Sequence, residues 1–172
     1  MEQFEAFHDE KRWTVTLAET GALTLTAERI KRIARYLDGD RFMVTYGDGV
    51  ADVDVRALVE FHRAQGRLAT VTGVSPQTRF GELRTDGDRV VEFLEKPRLV
   101  GRVNGGFFVF ERAVLDYLDD GPLEHSPLER LAREGQLSVF RHDGYWAAMD
   151  TIREKRVLEA EWATGRAQWK VW

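Results

Sequence analysis

At 172 residues and 43% apolar content the chain is long enough to close one hydrophobic core, and its four prolines and 15 glycines are too scattered for a linker-rich or disordered polypeptide. A net charge of -4 offers no basic footprint for nucleic acid or an anionic membrane. The absence of cysteine excludes disulfides and thiolate metal sites and agrees with a reducing cytoplasm; the opening MEQFEAFHDEKRW is too polar for a signal peptide, and no apolar run approaches membrane-spanning length.

The first pattern is a strand over residues 14–17, followed by Thr20-Gly21. Residues 28–37 carry Ile30, Ile33, Ala34 and Leu37 on one helical face. The apolar run 41–46 reads as a strand halted by Gly47-Asp48-Gly49. A helix follows over 54–65, with Val55, Leu58, Val59 and His62 at helical spacing, Asp52 or Asp54 as its cap and Gly66 as its stop. Residues 68–74 form the next strand, so the unit is strand-helix-strand and its length calls for a parallel crossover.

Two short apolar stretches around Asp86-Gly87-Asp88 predict a hairpin, and Glu95-Lys96-Pro97 ends its second strand. Asn104-Gly105-Gly106 precedes a dense strand at 107–110. Ser126-Pro127-Leu128-Glu129 predicts an N-capped helix with a capping box, and Thr151-Ile152-Arg153-Glu154 predicts a second, running to about Gly165. Between them lie a strand at 137–140 and a turn at Tyr145-Trp146. The fold class is therefore α/β, a mixed sheet covered by helices, in one domain spanning 1–172.

In open α/β sheets ligands gather beyond the carboxyl ends of strands, and Asp48 and Asp150 fall at such places. Two carboxylates without a histidine cluster form a hard-oxygen set suited to Mg2+ and phosphate. A turn aspartate and a helix-start aspartate are the plainer interpretation of the same residues. Lys96 could reach a phosphate or be simply solvated, Gly105 could admit a ligand or make an ordinary turn, and Thr20-Gly21 has the same two readings. Trp146, Trp162, Trp169 and Trp172 could stack on a sugar, but packing is their commoner use. The 47–54 stretch lacks the order of a calcium loop, and the four histidines show no metal spacing.

Together the ordered segments WTVTLAETG (13–21), ERIKRI (28–33), FMVTYGDGVADVD (42–54), RFGEL (79–83), FLEKP (93–97), VNGGFFVF (103–110) and WAAMDTIREK (146–155) with the WKVW tail resemble the glucose-1-phosphate cytidylyltransferases of the sugar-phosphate nucleotidyltransferase family. The resemblance implies a Rossmann-like fold with a mixed, mostly parallel sheet, transferring a cytidylyl group from CTP to glucose 1-phosphate to give CDP-glucose and pyrophosphate. It implies Mg2+ on Asp48 and Asp150, with Lys96 as the third catalytic residue. Thr20, Gly21, Thr24 and Arg29 would contact nucleotide, Gly47 the nucleotide sugar, Glu95 and Lys96 the sugar and its phosphate, and Asn104 and Gly105 the sugar pocket. It further implies a cytoplasmic homo-oligomer, with the 169–172 tail at an interface, feeding deoxysugar and O-antigen precursor synthesis.

Two departures stand out. Relatives open with a strand, a G-G-x-G-T-R-L loop and a K-P-M segment, so this chain is expected to lack the family's first strand-loop-helix unit. Thr26-Ala27-Glu28 also replaces a usual Thr-Gly-Gly before Arg29, adding a negative charge. The alternatives to a cytidylyltransferase are a uridylyl- or thymidylyltransferase, or a remnant that binds sugar phosphate or oligomerises without turnover.

Overall fold

The computed structural model describes residues 2–8 and 11–171, with side chains from 13 to 171. Trp172 and its predicted interface role lie outside the described residues. In chain order the elements are β1 (Glu2–His8), β2 (Lys11–Leu17), α1 (Thr26–Ile33, with a 3-10 turn to Tyr36), β3 (Arg41–Thr45), β4 (Gly49–Ala51), α2 (Val55–Gln65), β5 (Ala69–Val74), β6 (Glu82–Asp86), β7 (Arg89–Leu94), β8 (Val103–Glu111, followed by a 3-10 turn Arg112–Tyr117), α3 (Ser126–Arg133), β9 (Leu137–Arg141), β10 (Trp146–Ala148) and α4 (Ile152–Ala163).

The central sheet has four strands in the order β3-β8-β5-β9. The sheet is mixed, as expected, but its ladders are not mostly parallel. Strand β8 runs antiparallel to both β3 and β5, and only β5 with β9 forms a parallel ladder. The predicted crossover from β3 through α2 to β5 does join two strands of the same direction, and β8 inserts between them. Three smaller two-stranded sheets complete the architecture: β1-β2, β4-β10 and β6-β7.

Alternation along β8 builds the core. Phe108 and Phe110 point to one face, where they are fully buried with Phe42, Val114, Leu123 and Leu131 beneath α1 and α3. Val109 and half-buried Phe107 point to the other, against Val53 and Leu58 of the α2 layer. The rings of Phe108 and Phe110 stack at 5.3 Å, and Phe42 meets Phe110 edge-on at 5.6 Å. Each such buried ring contributes roughly 1.5–3 kcal/mol of transfer free energy.

The helix ends follow local chemistry. The Asp54 side chain caps α2 by accepting from the backbone N–H of Arg56 and Ala57, and Gly66 ends the helix in the left-handed region. Thr151 and Glu154 form the predicted capping box of α4. The box predicted at Ser126 does not form: Ser126 is already the first residue of α3, His125 precedes it, and the Ser126 hydroxyl bonds Asp119 instead. Pro127 sits in the first turn as expected.

His62 belongs to the scaffold, and no metal chemistry attaches to it. It is 1% exposed on α2, with Nδ1 2.9 Å from the Thr70 hydroxyl and Nε2 3.0 Å from the Glu111 carboxylate. Arg41 closes the chain by donating to Glu111 through Nε at 2.9 Å. Burial is the largest influence on His62 and lowers its pKa from the ordinary value near 6.5, outweighing Glu111. For Glu111 burial acts upward, but hydrogen bonds from Arg41 and His62 together hold the carboxyl below its usual range.

Candidate active site

The residues at Asp48 and Asp150 are joined by a ribbon that the sequence pattern did not reveal. Strands β4 and β10 pair antiparallel through Gly49↔Ala148, Val50↔Ala147 and Ala51↔Trp146. The ladder extends one step further, where Met149 N–H donates to the Asp48 carbonyl at 2.8 Å. Asp48 thus stands at the entrance to one strand and Asp150 just beyond the exit of its partner. The predicted Tyr145-Trp146 turn is corrected by the same pairing, because Trp146 is the first residue of β10.

Asp48 and Asp150 line one cavity of about 190 Å3, together with Gly49, Tyr46, Asn104, Gly105, Gly106 and Trp146. The second wall comes from β8. Asn104-Gly105-Gly106 is strand rather than a turn before it, and the glycine at 105 has a steric cause. A Cβ there would lie 2.9 Å from Val74 and 3.0 Å from the Thr72 carbonyl, across the irregular register of β5 and β8. The Asn104 side chain is oriented by its Oδ1, which accepts from Gly106 N–H at 2.8 Å.

Tyr46 lines the same cavity. Its hydroxyl donates to Glu124 and accepts a long contact of 3.4 Å from the Asn104 amide. Burial first, and then the bond to Glu124, push its pKa above the ordinary tyrosine range, so the phenol stays protonated. Asp150 is not free: Arg79 donates to it at 2.8 Å and also reaches Glu154 at 2.9 Å. Glu154 meanwhile accepts from the backbone N–H of Asp150 and Thr151, at 3.0 and 2.9 Å, tying the candidate ligand to the start of α4. Sequence reasoning passed over Tyr46, Arg79 and Trp146. The first two were quoted only inside longer motifs, and the third was assigned to packing.

Other expected site residues lie apart from that cavity. Lys96 lines a neighbouring cleft of about 470 Å3 that shares Ala148 with it and includes Arg79 and Glu154. Its backbone is left-handed at φ 46, unusual for a non-glycine, and its ammonium is 3.5 Å from exposed Glu95. Gly47 lines a separate space of about 240 Å3 with Met149, Trp162 and Trp169, to which Asp48 also contributes. Thr20, Gly21, Thr24 and Arg29 do come together, before and on α1. Arg29 donates to the Thr20 hydroxyl and the Ala22 carbonyl, and Thr24 donates to the Thr20 carbonyl. Glu28 is paired with Arg32, which offsets the charge it adds, and Ala27 is packed in the core of regular helix, where glycine is not required.

The donor set suits a hard divalent cation. Two aspartates line the cavity, and among the described residues no group of three His, Cys, Asp or Glu side chains could enclose an ion. Mg2+ commonly takes one or two carboxylates and fills its remaining positions with water and substrate phosphate, so the pair fits that ion's demand.

Comparison with known proteins gives the family. Residues 2–149 match the family described as nucleotidyl transferase. The chain belongs to that family. It is 46% identical over 164 residues to the glucose-1-phosphate cytidylyltransferase of Salmonella typhi, covering 93% of this chain and 64% of that protein. Identity to the catalytic subunit beta of mannose-1-phosphate guanylyltransferase from Xenopus tropicalis is 29% over 150 residues, covering 83% and 40%. The chain thus spans about 64% of the length of the cytidylyltransferases it matches. Among solved structures, HddC from Yersinia pseudotuberculosis superposes with a TM-score of 0.60 at 21% identity, over 81% of this chain and 63% of that one, and shares its fold.

Proposed function

We propose that the protein transfers a cytidylyl group from CTP to glucose 1-phosphate, releasing pyrophosphate and forming CDP-glucose for deoxysugar and O-antigen precursor synthesis. The observation that carries this reading is the shared cavity of Asp48 and Asp150 beside Asn104 and Gly105. The 46% identity to a glucose-1-phosphate cytidylyltransferase supports the choice of base and sugar.

In the proposed reaction a phosphate oxygen of glucose 1-phosphate attacks the α-phosphorus of CTP. A new P–O bond forms there as the bond to the β-phosphate oxygen breaks, and pyrophosphate leaves with the electron pair. The attacking oxygen is already ionised at neutral pH, so no residue need act as base, in keeping with a protonated Tyr46. Asp48 and Asp150 would hold Mg2+, which when bound offsets the charge of the phosphates. Asn104 and Gly105 would orient the sugar, with Gly47 and Glu95 contributing to its recognition. Lys96 would act as a point charge on the sugar phosphate, and Thr20, Gly21, Thr24 and Arg29 would contact the nucleotide. The protein would work in the cytoplasm as a homo-oligomer; no helix among the described residues is long and apolar enough to cross a membrane.

The test is pyrophosphate release by the purified protein with Mg2+, glucose 1-phosphate and each of CTP, UTP, dTTP and GTP. CTP is expected to support the fastest turnover, and Asp48→Ala to lower it by at least about a hundredfold. Undiminished activity in Asp48→Ala overturns the metal assignment, and preference for another nucleotide overturns the choice of base. Sugar-phosphate binding without pyrophosphate release supports the binding-module alternative.

A further inference from the structure

A second, larger cleft of about 620 Å3 lies directly beside the 190 Å3 cavity. The two share three lining residues, Trp146, Ala148 and Asp150, and of these only Trp146 is bulky. Its indole N–H donates to the Gly105 carbonyl at 2.8 Å, a well-formed bond that ties the β4-β10 ribbon to β8. Small residues surround it along the ribbon: Ala147 and Ala148 follow it in the strand, Ala51 pairs with it, and a Cβ added at Gly49 would come within 4.0 Å of its nitrogen. One half-buried ring therefore separates the two spaces and also anchors the strand that forms the opposite wall.

We infer that Trp146 is the specificity-determining partition of the sugar-phosphate cavity: its ring limits the size of the hexose accepted, and its N–H fixes the Gly105 peptide against which the hexose lies. This rests on the reading of the smaller cavity as the sugar-phosphate site. The ligand class that follows is a hexose 1-phosphate with no bulky substituent. An N-acetylhexosamine 1-phosphate needs the space that the indole occupies. Removing the ring joins the smaller cavity to the larger cleft, whose walls include Ser75, Gln77, Arg98 and His142, polar groups able to solvate or bond an acetamido group.

The experiment is calorimetric titration of the full chain, with Mg2+ present, by glucose 1-phosphate and by N-acetylglucosamine 1-phosphate, with circular dichroism melts to confirm folding. The parent should bind the first much more tightly than the second. Trp146→Ala should shift the affinity ratio toward the N-acetyl compound by at least about tenfold, the discrimination one pocket wall commonly provides. Trp146→Phe keeps a ring in the wall and loses the N–H, so both ligands should weaken by about fivefold, the scale of one hydrogen bond, with their ratio unchanged. Should Trp146→Ala fail to fold, Trp146→Leu carries the same expectation for the ratio. A residue that only fills space would lower the melting temperature and leave the ratio alone. An unchanged ratio in a folded variant therefore overturns the partition while the sugar-phosphate reading stands. Parental affinity from Trp146→Phe overturns the role of the N–H, and a parent that binds neither compound overturns the sugar-phosphate reading together with this inference.

Discussion

The four-stranded sheet and the ribbon that meets it differ sharply in how they are held. Strand β8 has neighbours on both edges and buries Phe108, Val109 and Phe110 completely. The ribbon β4-β10 has no buried residue, the hairpin β6-β7 has none, and α4, which follows Asp150, has none. Asp48 and Asp150 stand on the ribbon, and Lys96 just beyond the hairpin, so the groups assigned to chemistry ride on the thinly packed half. The packed half supplies Asn104 and Gly105 as a fixed wall. Regions with few buried contacts open at low free-energy cost, so the mobile side of the site should be the one carrying the charged groups.

The widest separation between the halves should appear on truncating an aromatic ring in each. Phe110→Ala removes a fully buried ring that contacts Phe42 and Phe108, and should cost about 4 kcal/mol in urea unfolding. Phe93→Ala, on a hairpin ring that is 61% exposed, should cost less than about 1 kcal/mol. Equal losses would mean that the hairpin is packed as firmly as the sheet.

Next in size is the buried polar chain behind β8. His62→Ala leaves Thr70 and Glu111 without their partner and opens a cavity, a loss of about 3 kcal/mol. The pH dependence has a definite sign. His62 has a folded pKa below its ordinary value, so the unfolded chain binds a proton first as pH falls, and stability declines from near 6.5 downward through the folded pKa. Glu111, also lowered, adds a decline of the same sign below about 4.5. Melting temperatures between pH 7.5 and 5 should fall for the parent and change less in His62→Ala. A flat parental profile would contradict the buried neutral imidazole.

The same contrast explains what the sequence made legible. Asp54 with Gly66 and Thr151 with Glu154 act over three or four residues, so α2 and α4 could be bounded from local chemistry alone. The unbroken apolar run at residues 107–110 revealed the core strand. The β4-β10 ribbon could not be read, because three-residue strands show no period and their pairing joins distant segments. The Ser126 cap failed for a related reason, since Asp119, outside the helix, claims the hydroxyl. Asn104-Gly105-Gly106 stays open in the sequence between a turn and a ligand-admitting stretch because glycine is ambiguous locally; the approach of Val74 and the Thr72 carbonyl explains the glycine within the strand. Asp48 and Asp150 were identified through resemblance, yet their common cavity, and the part taken by Tyr46, Arg79 and Trp146, required the tertiary arrangement.

A smaller effect is expected where the thin half is tied to the site. Thr151→Ala removes the capping hydroxyl of α4 and should cost about 1 kcal/mol. It also loosens Glu154, whose carboxylate accepts from the Asp150 backbone N–H. Mn2+ titration followed by electron paramagnetic resonance should show weaker binding, while sugar-phosphate affinity measured without metal stays at the parental value. Parental Mn2+ affinity in this variant would show that the cap does not position Asp150.

The smallest change in stability is expected at Arg79, whose side chain is 59% exposed and pairs with an Asp150 that is 51% exposed. Exposed pairs of this kind contribute about 0–1 kcal/mol, so Arg79→Gln should unfold at nearly the parental urea concentration. Its consequence is local: the guanidinium competes with a cation for the same carboxylate. Removing it should tighten Mn2+ binding by about threefold at low ionic strength, with the gain fading as salt screens the guanidinium's charge. Weaker Mn2+ binding in Arg79→Gln would reverse this picture, making the arginine a support for the Asp150 carboxylate instead of its competitor. That result would place the firm half's kind of packing inside the ribbon.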